Sequence, residues 1–205
     1  MPADLPHREN VARMAAAHLD LIEETNRQFN LTRIIDPRQA AIKHVLDSVI
    51  PWRLFADAKN VMDAGTGAGF PGIPLALVLT GTRFTLVEST RKKARFVESV
   101  LVKLGLSNVT VAAERAEDLA GKGKMEIITA RAVAPIPKVL ALFGPALKTG
   151  AATGAKLLLY KGPDVEQEMA EAAEDAAKRR VRMRVLMRYE LPDASGIRTI
   201  VEIAS

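Results

Sequence analysis

Apolar positions recur at two spacings along this chain, and the change between them divides it into two parts. Between residues 8 and 29 they follow an amphipathic helix, at Val11, Met14, Ala15, His18, Leu19 and Ile22. From residue 59 onward, short β-rich runs alternate with helical stretches. The pattern predicts a helical cap in residues 1–50 and one compact α/β unit in residues 51–205.

A second helix of the cap is predicted to begin at "DPRQ" (36–39). Asp36 can accept hydrogen bonds from the first turn, and the fixed φ of Pro37 suits the first helical position. Gln39 can reach back toward Asp36, as in a capping box. This helix runs to about Ser48.

Five β-rich runs separated by helical stretches follow the cap: "NVMDAG", "RFTLVE", "NVTVAA", "MEIITAR" and "KLLLYKG". Helices are predicted near 71–79, 91–104, 136–147 and 164–178. This alternation indicates an α/β fold, with a mostly parallel sheet and helices on both faces. Two closing strands, near 181–190 and 197–204, are joined by the short turn "PDASG" and are therefore expected to be antiparallel.

Composition narrows the class of protein. The chain has 205 residues, 48% of them hydrophobic and 26% charged, which is typical of a soluble globular domain. It contains no cysteine, so disulfides and cysteine nucleophiles are excluded, and its three histidines match no metal motif. No apolar run could span a bilayer, and the first ten residues lack a signal sequence. We expect a cytoplasmic monomer without a metal site or a membrane partner.

The stretch "DAGTGAGFPG" (63–72) directly follows the first predicted strand of the sheet. In sheets of this kind, ligands bind beyond the carboxyl ends of the strands. Glycine lets the backbone turn sharply and approach a ligand closely. We therefore expect a ligand site at this turn.

Two classes of ligand fit the turn. From Gly67, "GAGFPG" matches G-x-G-x-x-G, which favours a nicotinamide-dependent oxidoreductase or a non-catalytic nucleotide-binding domain. The strand ends at Asp63, however, so the tight turn begins at Gly65, and in that register Phe70 replaces the third glycine. Pro71 lacks an N–H for a pyrophosphate, and Asp63 would repel one. A cationic nucleoside without phosphate, S-adenosylmethionine, suits the acid better.

Glu88 supports that interpretation. It ends the second strand, close to the offset of roughly 20 residues at which a carboxylate meets a ribose diol. An acid, a glycine turn and a second acid one strand later form the pattern of S-adenosylmethionine binders. From the residues alone we therefore expect Asp63, Gly67, Gly69 and Glu88 to contact this cofactor.

Motifs spread along the whole chain resemble one family. They are "NLT" (30–32), "KHVLDS" (43–48), "DAGTGAGFPGIPLA" (63–76), "RAED" (115–118), "ITARAVAPI" (128–136) and "YKG" (160–162). The chain resembles the bacterial 16S ribosomal RNA guanine-N7 methyltransferases, also called glucose-inhibited division protein B. This resemblance implies a seven-stranded class I, Rossmann-like methyltransferase fold with an N-terminal helical cap. It also implies S-adenosylmethionine as methyl donor, and 16S ribosomal RNA or the small ribosomal subunit as partner.

The resemblance assigns further residues by position. It implies cofactor contacts at Gly65, Phe70, Ala116, Glu117 and Arg131. The chain departs from the family at Lys43, where arginine is common, and in the loop "KTGAATGAK" (148–156), where a compact turn is usual. Replacing arginine by lysine keeps the charge but loses bidentate contacts.

Basic residues indicate an RNA-binding rim. "STRKKARF" (89–96) places three bases at a helix start, where the helix dipole disfavours cations unless an anion binds there. The expected RNA contacts are Asn30, Lys43, His44, Arg91, Lys92, Lys93, Lys161 and Arg198. The basic stretch 178–188 alternates as a half-buried strand, and its arginines are expected to meet the acidic helix before it.

The expected reaction needs no general base, because N7 of guanine has an in-plane lone pair and no proton at neutral pH. Arg131 and Lys161 are therefore expected to act by positioning the reactants. A guanidinium stays protonated, which excludes Arg131 as a base.

Overall fold

The computed structural model describes residues 1–122, 125–150 and 155–205, with the backbone alone at 148–150. Its strands form a seven-stranded sheet in the order β3-β2-β1-β4-β5-β7-β6. The first five run parallel, whereas β7 is antiparallel to both β5 and β6. The strands are β1 Asn60–Ala64, β2 Arg83–Val87, β3 Val109–Ala112, β4 Ile127–Arg131, β5 Lys156–Lys161, β6 Arg182–Glu190 and β7 Ile197–Ala204. The predicted sheet is confirmed.

Eight α-helical segments occur in the described residues, besides a π-helical turn at Ala41–Leu46 and a 3₁₀ turn at Trp52–Phe55. None of these helices is long and apolar enough to cross a membrane. They are α1 Arg8–Asn26, α2 Pro37–Ala40, α3 Asp47–Val49, α4 Gly72–Val78, α5 Arg91–Leu104, α6 Ala116–Ala120, α7 Ile136–Gly150 and α8 Val165–Arg179.

Alternate residues of each central strand enter two different cores. Val61 packs into a cluster with α1, α4 and α5, whereas its neighbour Met62 packs into a second cluster with α7 and α8. This is the two-residue period of a strand with both faces buried. Helices therefore cover both faces of the sheet, as predicted.

The second helix of the cap differs from the prediction in one respect. Asp36 caps it, accepting from the backbone N–H of Gln39 at 2.8 Å. The Gln39 side chain does not reach back but accepts from the Ser195 hydroxyl at 3.3 Å. The helix continues past Ser48 to Val49, and its middle is the π turn. We call the continuous run 37–49 the cap helix.

The cap packs directly on the α/β unit. Val11 and Ile22 of α1 and Val45 of the cap helix belong to the same apolar cluster as Val61 of β1. The division of the chain into a cap at residues 1–50 and one α/β unit at residues 51–205 stays a prediction.

Two details near β5 and β6 correct the sequence analysis. In the region predicted as the loop 148–156, α7 extends to Gly150 and β5 already begins at Lys156, while residues 151–154 lie outside the described ranges. Arg188 of β6 pairs with Glu166 of α8, as expected. Arg184 instead pairs with Glu202 of β7, because that side chain directly faces it across the ladder.

Candidate active site

The sheet reverses its strand order at β1, which has β2 on one side and β4 on the other. The carboxyl ends of β1, β2, β4 and β5 meet at this edge of the sheet. Because β7 is antiparallel to β5, its first residues reach the same edge. Gly65, Glu88, Arg131, Lys161 and Arg198, predicted from distant parts of the sequence, are thereby brought to one edge.

Asp63 lies beneath the glycine turn (65–72) and is hydrogen-bonded to it. Its fully buried carboxylate accepts from Thr66 Oγ1 at 2.6 Å and from the Gly72 N–H at 2.8 Å, both through Oδ2. Oδ1 has no hydrogen-bond partner in the described residues. Burial raises the pKa of Asp63 to about 6, although both hydrogen bonds oppose this. Asp63 therefore holds the turn from below.

Glycine is required at two positions of the turn for different reasons. A Cβ on Gly72 would lie 2.1 Å from Leu86 Cδ2 and 2.8 Å from the Asp63 carboxylate, so a side chain there would displace both. Gly67 adopts a left-handed φ of 61°, and nothing lies within 4 Å of its would-be Cβ. The backbone at Gly67 thus presents an open face to a ligand.

The N–H groups of the turn are largely used within the protein, since all but one of its non-proline N–H groups donate to acceptors on the turn itself, on β1, or at the end of β2. The donors are Gly65, Thr66, Gly67, Gly69, Phe70 and Gly72, and the acceptors are Thr66 O, Val87 O, Glu88 Oε2 and Asp63 Oδ2. Pro71, at the N-cap of α4, has no N–H. A pyrophosphate needs free N–H groups at a helix start. The geometry therefore disfavours the nicotinamide alternative.

Glu88 joins the end of β2 to the turn. Oε2 accepts from the Gly67 N–H at 3.1 Å, and Oε1 accepts from the Thr90 N–H at 2.7 Å. Each oxygen keeps a second lone pair for a ligand hydroxyl.

Two clefts flank the turn and share Gly65, Val133 and Ala134 in their walls. The small cleft, of about 240 Å³, lies at the ends of β2 and β3 and contains Ala116 and Glu117. The large cleft, of about 770 Å³, extends toward the cap. Several predicted residues line it: Gly65, Gly67, Phe70, Arg131, Lys43, His44, Lys161 and Arg198.

Phe70 is stacked between two histidines of the cap. The centroids of both His18 and His44 lie 4.7 Å from that of Phe70, with interplanar angles of 23° and 10°. His18 Nε2 donates to Ala68 O at 2.8 Å, which ties α1 to the glycine turn. Gly69 lies against this stack, because a Cβ there would come 3.1 Å from the His18 ring. The sequence analysis assigned His18 only to an apolar helix face.

Both stacked histidines are neutral at physiological pH. Burial lowers the pKa of His18 to about 4, and burial together with the nearby Arg131 charge lowers the pKa of His44 to about 4. His44 Nε2 also lies 3.0 Å from Thr32 Oγ1. His44 borders the large cleft as an uncharged ring, and its contact with RNA stays a prediction.

Arg131 joins β4 to the cap helix. Its Nη1 donates to Lys43 O, His44 O, Asp47 Oδ2 and Ser48 Oγ, at 3.1 to 3.3 Å. Its Cζ lies 5.6 Å from the Phe70 ring centroid. Asp47, which sequence reasoning missed although it lies in "KHVLDS", also approaches Arg198 Nε at 3.5 Å.

Lys161 is buried and already paired. Its Nζ lies 2.6 Å from Glu168 Oε2 and donates to Ala134 O at 2.7 Å. The same Glu168 oxygen accepts from the Ile136 N–H at 2.8 Å. Lys161 thus holds the β4 loop (132–135), and its contact with RNA stays a prediction.

Of the bases at the start of α5, Arg91 and Lys92 are exposed and Lys93 is half-buried. Arg91 and Lys93 form no ion pair with any described residue, and Lys92 Nζ lies 4.0 Å from the Phe29 ring centroid. Asn30 is exposed. Asn26 holds the chain that follows α1. Its side-chain oxygen accepts from the N–H groups of residues 31 and 32, and its amide nitrogen donates to the carbonyl of residue 32. No group of three or more potential metal ligands occurs in the described part of the chain.

A family model described as rRNA small subunit methyltransferase G, GidB, matches residues 12–192. The chain belongs to this methyltransferase family. The Ribosomal RNA small subunit methyltransferase G of Solibacter usitatus is 64% identical over 203 residues, covering 99% of this chain and 95% of that protein. The protein of the same description from Carboxydothermus hydrogenoformans is 37% identical over 188 residues, covering 88% and 77%. The predicted family is confirmed.

Solved structures of more distant methyltransferases share the fold. An O-methyltransferase from Bacillus cereus, solved with SAH, matches with a TM-score of 0.61 at 18% identity, covering 92% of this chain and 91% of that one. The O-methyltransferase TomG from Streptomyces achromogenes matches with a TM-score of 0.59 at 19% identity, covering 98% and 92%. The predicted class I methyltransferase fold of the small subunit methyltransferase G family is thereby confirmed.

Proposed function

We propose that this chain transfers the methyl group of S-adenosylmethionine to N7 of a guanine in 16S ribosomal RNA. The observation that carries the proposal is a glycine turn that is open at Gly67, braced by a carboxylate and nearly without free N–H groups, between two adjoining clefts. Such a turn suits a cationic nucleoside and is unsuited to a pyrophosphate. Membership of a family named for methylation of small subunit rRNA supports the same activity.

The cofactor fits the two clefts together. We place its adenosine at the small cleft, with Ala116 and Glu117 beside the adenine and Glu88 at the ribose hydroxyls. Its methionine part then lies in the large cleft along Gly65, Gly67 and Phe70, next to Arg131. Asp63 acts from beneath as a buried negative charge, one of whose oxygens has no partner among the residues that the structure describes. When bound, the cofactor supplies a methyl group on a sulfonium.

The residues around the large cleft position the reactants and transfer no proton. His44 is neutral and paired with Thr32, Lys161 is paired with Glu168, and Arg131 stays protonated. Guanine N7 needs no base. Holding the acceptor atom in line with the methyl group supplies a large part of the barrier reduction.

The RNA is proposed to bind along the rim that bears Arg91, Lys92 and Lys93 and to continue past Lys43 and Arg198 at the large cleft. Asn30 lies on the cap side of this rim. We propose that one copy of the chain is sufficient; gel filtration with light scattering tests this.

The test is methylation with radiolabelled S-adenosylmethionine, using small ribosomal subunits and naked 16S rRNA from cells that lack this enzyme. Cleavage at 7-methylguanosine after borohydride and aniline treatment then locates the product. We expect one methylated guanine in at least one substrate. Calorimetry with S-adenosylmethionine, NADH and NADPH separates the alternatives: binding of a nicotinamide cofactor but not of S-adenosylmethionine would refute the proposal.

A further inference from the structure

Asp47 lies at the centre of a buried network that joins the cap helix to the sheet. The residue is 1% exposed. Its Oδ2 lies 3.1 Å from Arg131 Nη1 and 3.5 Å from Arg198 Nε, and its Oδ1 accepts from the Tyr189 hydroxyl at 3.0 Å. These partners belong to β4, β7 and β6. A single carboxylate of the cap thus contacts three strands.

The network binds the Arg131 guanidinium through one nitrogen atom, Nη1. All four hydrogen bonds of its guanidinium come from Nη1, and within the described residues Nε and Nη2 make none. The side chain borders the large cleft and is 14% exposed. Because a guanidinium is planar and rigid, fixing Nη1 also fixes the direction of the remaining donors.

The π turn supplies two of the acceptors that bind Arg131. It spans Ala41–Leu46, and the carbonyl groups of Lys43 and His44 within it accept from Arg131. π-helical turns occur frequently at functional sites. The cap helix is therefore shaped to receive Arg131 as well as to pack on the core.

We propose that Asp47 is a positioning residue for methyl transfer, which orients Arg131 so that its free donors face the ligand in the large cleft. The inference rests on the proposed function. Asp47 also offsets part of the positive charge of Arg131 and Arg198. Its loss should therefore slow the reaction without weakening RNA binding, a combination that a purely structural role would not give.

Asp47→Asn tests the proposal, since it keeps the size and removes the charge. We expect the single-turnover rate constant to fall about 100-fold, the cost of misplacing a reacting group by about 1 Å. The Kd for small ribosomal subunits should be equal to or below that of the wild type. Asp175→Asn is the matched control, because Asp175 pairs with Arg179 within α8 and borders neither cleft. It should leave both quantities unchanged.

Asp47→Glu keeps the charge but shifts it, so it should fold and still lose most of the rate. The proposal is overturned if the rate of Asp47→Asn stays within about threefold of the wild type, less than the loss that misplacement causes. Parallel loss of rate and RNA affinity, or failure of both variants to fold, would likewise reduce Asp47 to a structural residue.

NMR of the arginine side chains tests the geometry independently of activity. Slow rotation at the Arg131 Nη1 group should be visible in the wild type and measurably faster in Asp47→Asn, which keeps the other three acceptors. If the wild type methylates no RNA but this signal behaves as expected, the proposed function fails and the positioning of Arg131 stands. If methylation is normal and the signal is absent from the wild type, the positioning inference fails alone.

Discussion

Nζ of Lys161 and Oε2 of Glu168 lie 2.6 Å apart at the end of β5; Lys161 bonds the loop that follows β4, and Glu168 bonds the first residue of α7. Breaking a buried pair by removing one partner leaves an uncompensated charge and costs about 3–5 kcal/mol. We therefore expect Lys161→Met to be strongly destabilised in urea unfolding. The double variant Lys161→Met/Glu168→Leu should recover part of that loss. A double variant no more stable than the single one would show that the pair does not act as a unit.

Gly72 offers a steric test of the turn. Its substitution by alanine should destabilise the protein by about 1–3 kcal/mol, because the new methyl overlaps Leu86 and the Asp63 carboxylate. S-adenosylmethionine affinity should fall as well, since the turn must shift. Gly81→Ala is the matched control: nothing lies within 4 Å of its Cβ, so its stability should change by at most about 1 kcal/mol. Thermal unfolding and calorimetry measure both effects.

Asp63 makes the free energy of unfolding depend on pH. Its pKa is raised from 3.8 to about 6 in the folded protein, so the folded state binds more protons than the unfolded state between these values. Stability therefore falls as the pH rises through this window, by on the order of 3 kcal/mol. We expect the unfolding free energy of the wild type, relative to Asp63→Asn, to decrease between pH 4 and pH 7. A constant difference would place the carboxylate in a solvated position.

His18 makes the stability of the protein depend on pH in the opposite direction, over an overlapping pH range. Its pKa is lowered from 6.5 to about 4, so the unfolded state binds the extra proton and stability is lost as the pH falls through this window. Relative to His18→Gln, the wild type should lose on the order of 3 kcal/mol between pH 7 and pH 4. His7→Gln is the control, because His7 is exposed. Urea titrations of these variants at matched pH values separate the contributions of His18 and Asp63, which oppose each other in the wild type.

The RNA-binding role of the α5 start is tested by neutralising Arg91, Lys92 and Lys93 together. Each lost phosphate contact removes a released counterion, so the salt dependence of RNA binding should flatten, while S-adenosylmethionine affinity stays the same. Glutamine at Lys178, Arg180 and Arg182 is the control, because the β6 start lies at the opposite edge of the sheet. Equal salt slopes for both triple variants would mean that the α5 bases are only a solvated surface.

The sequence predicted the elements that depend on local signals. The glycine turn, the capping by Asp36 and the succession of strands and helices along the chain follow from residue types within a few positions of each other, and the structure contains them. The pairing of Asp47 with Arg131 could not be predicted, because 84 residues separate them and neither residue is unusual in its own segment. The π turn that exposes the carbonyls to Arg131 has no signal of its own in "AIKHVL".

Charged residues were harder to interpret than apolar ones. Lys161 ends a buried strand and was expected to reach RNA, but Glu168, one helical turn into α8, neutralises it. His44 was expected at an RNA rim for its motif, and the structure adds that burial and the Arg131 charge keep its ring neutral. In both cases the deciding partner comes from another element, so composition and spacing could not reveal it.

β6 precedes β7 in the chain but reaches the sheet only through it, because β7 lies between β5 and β6. During translation, residues 182–190 therefore emerge from the ribosome before the strand that they pair with. Until residues 197–204 follow, β5 presents an open edge to the nascent chain, and such edges readily accept a wrong strand. Arg198 arrives with β7, so the large cleft gains this cation only when that edge is closed. A nascent chain stalled after β6 would be exposed to misassembly and would still lack part of the wall of the large cleft.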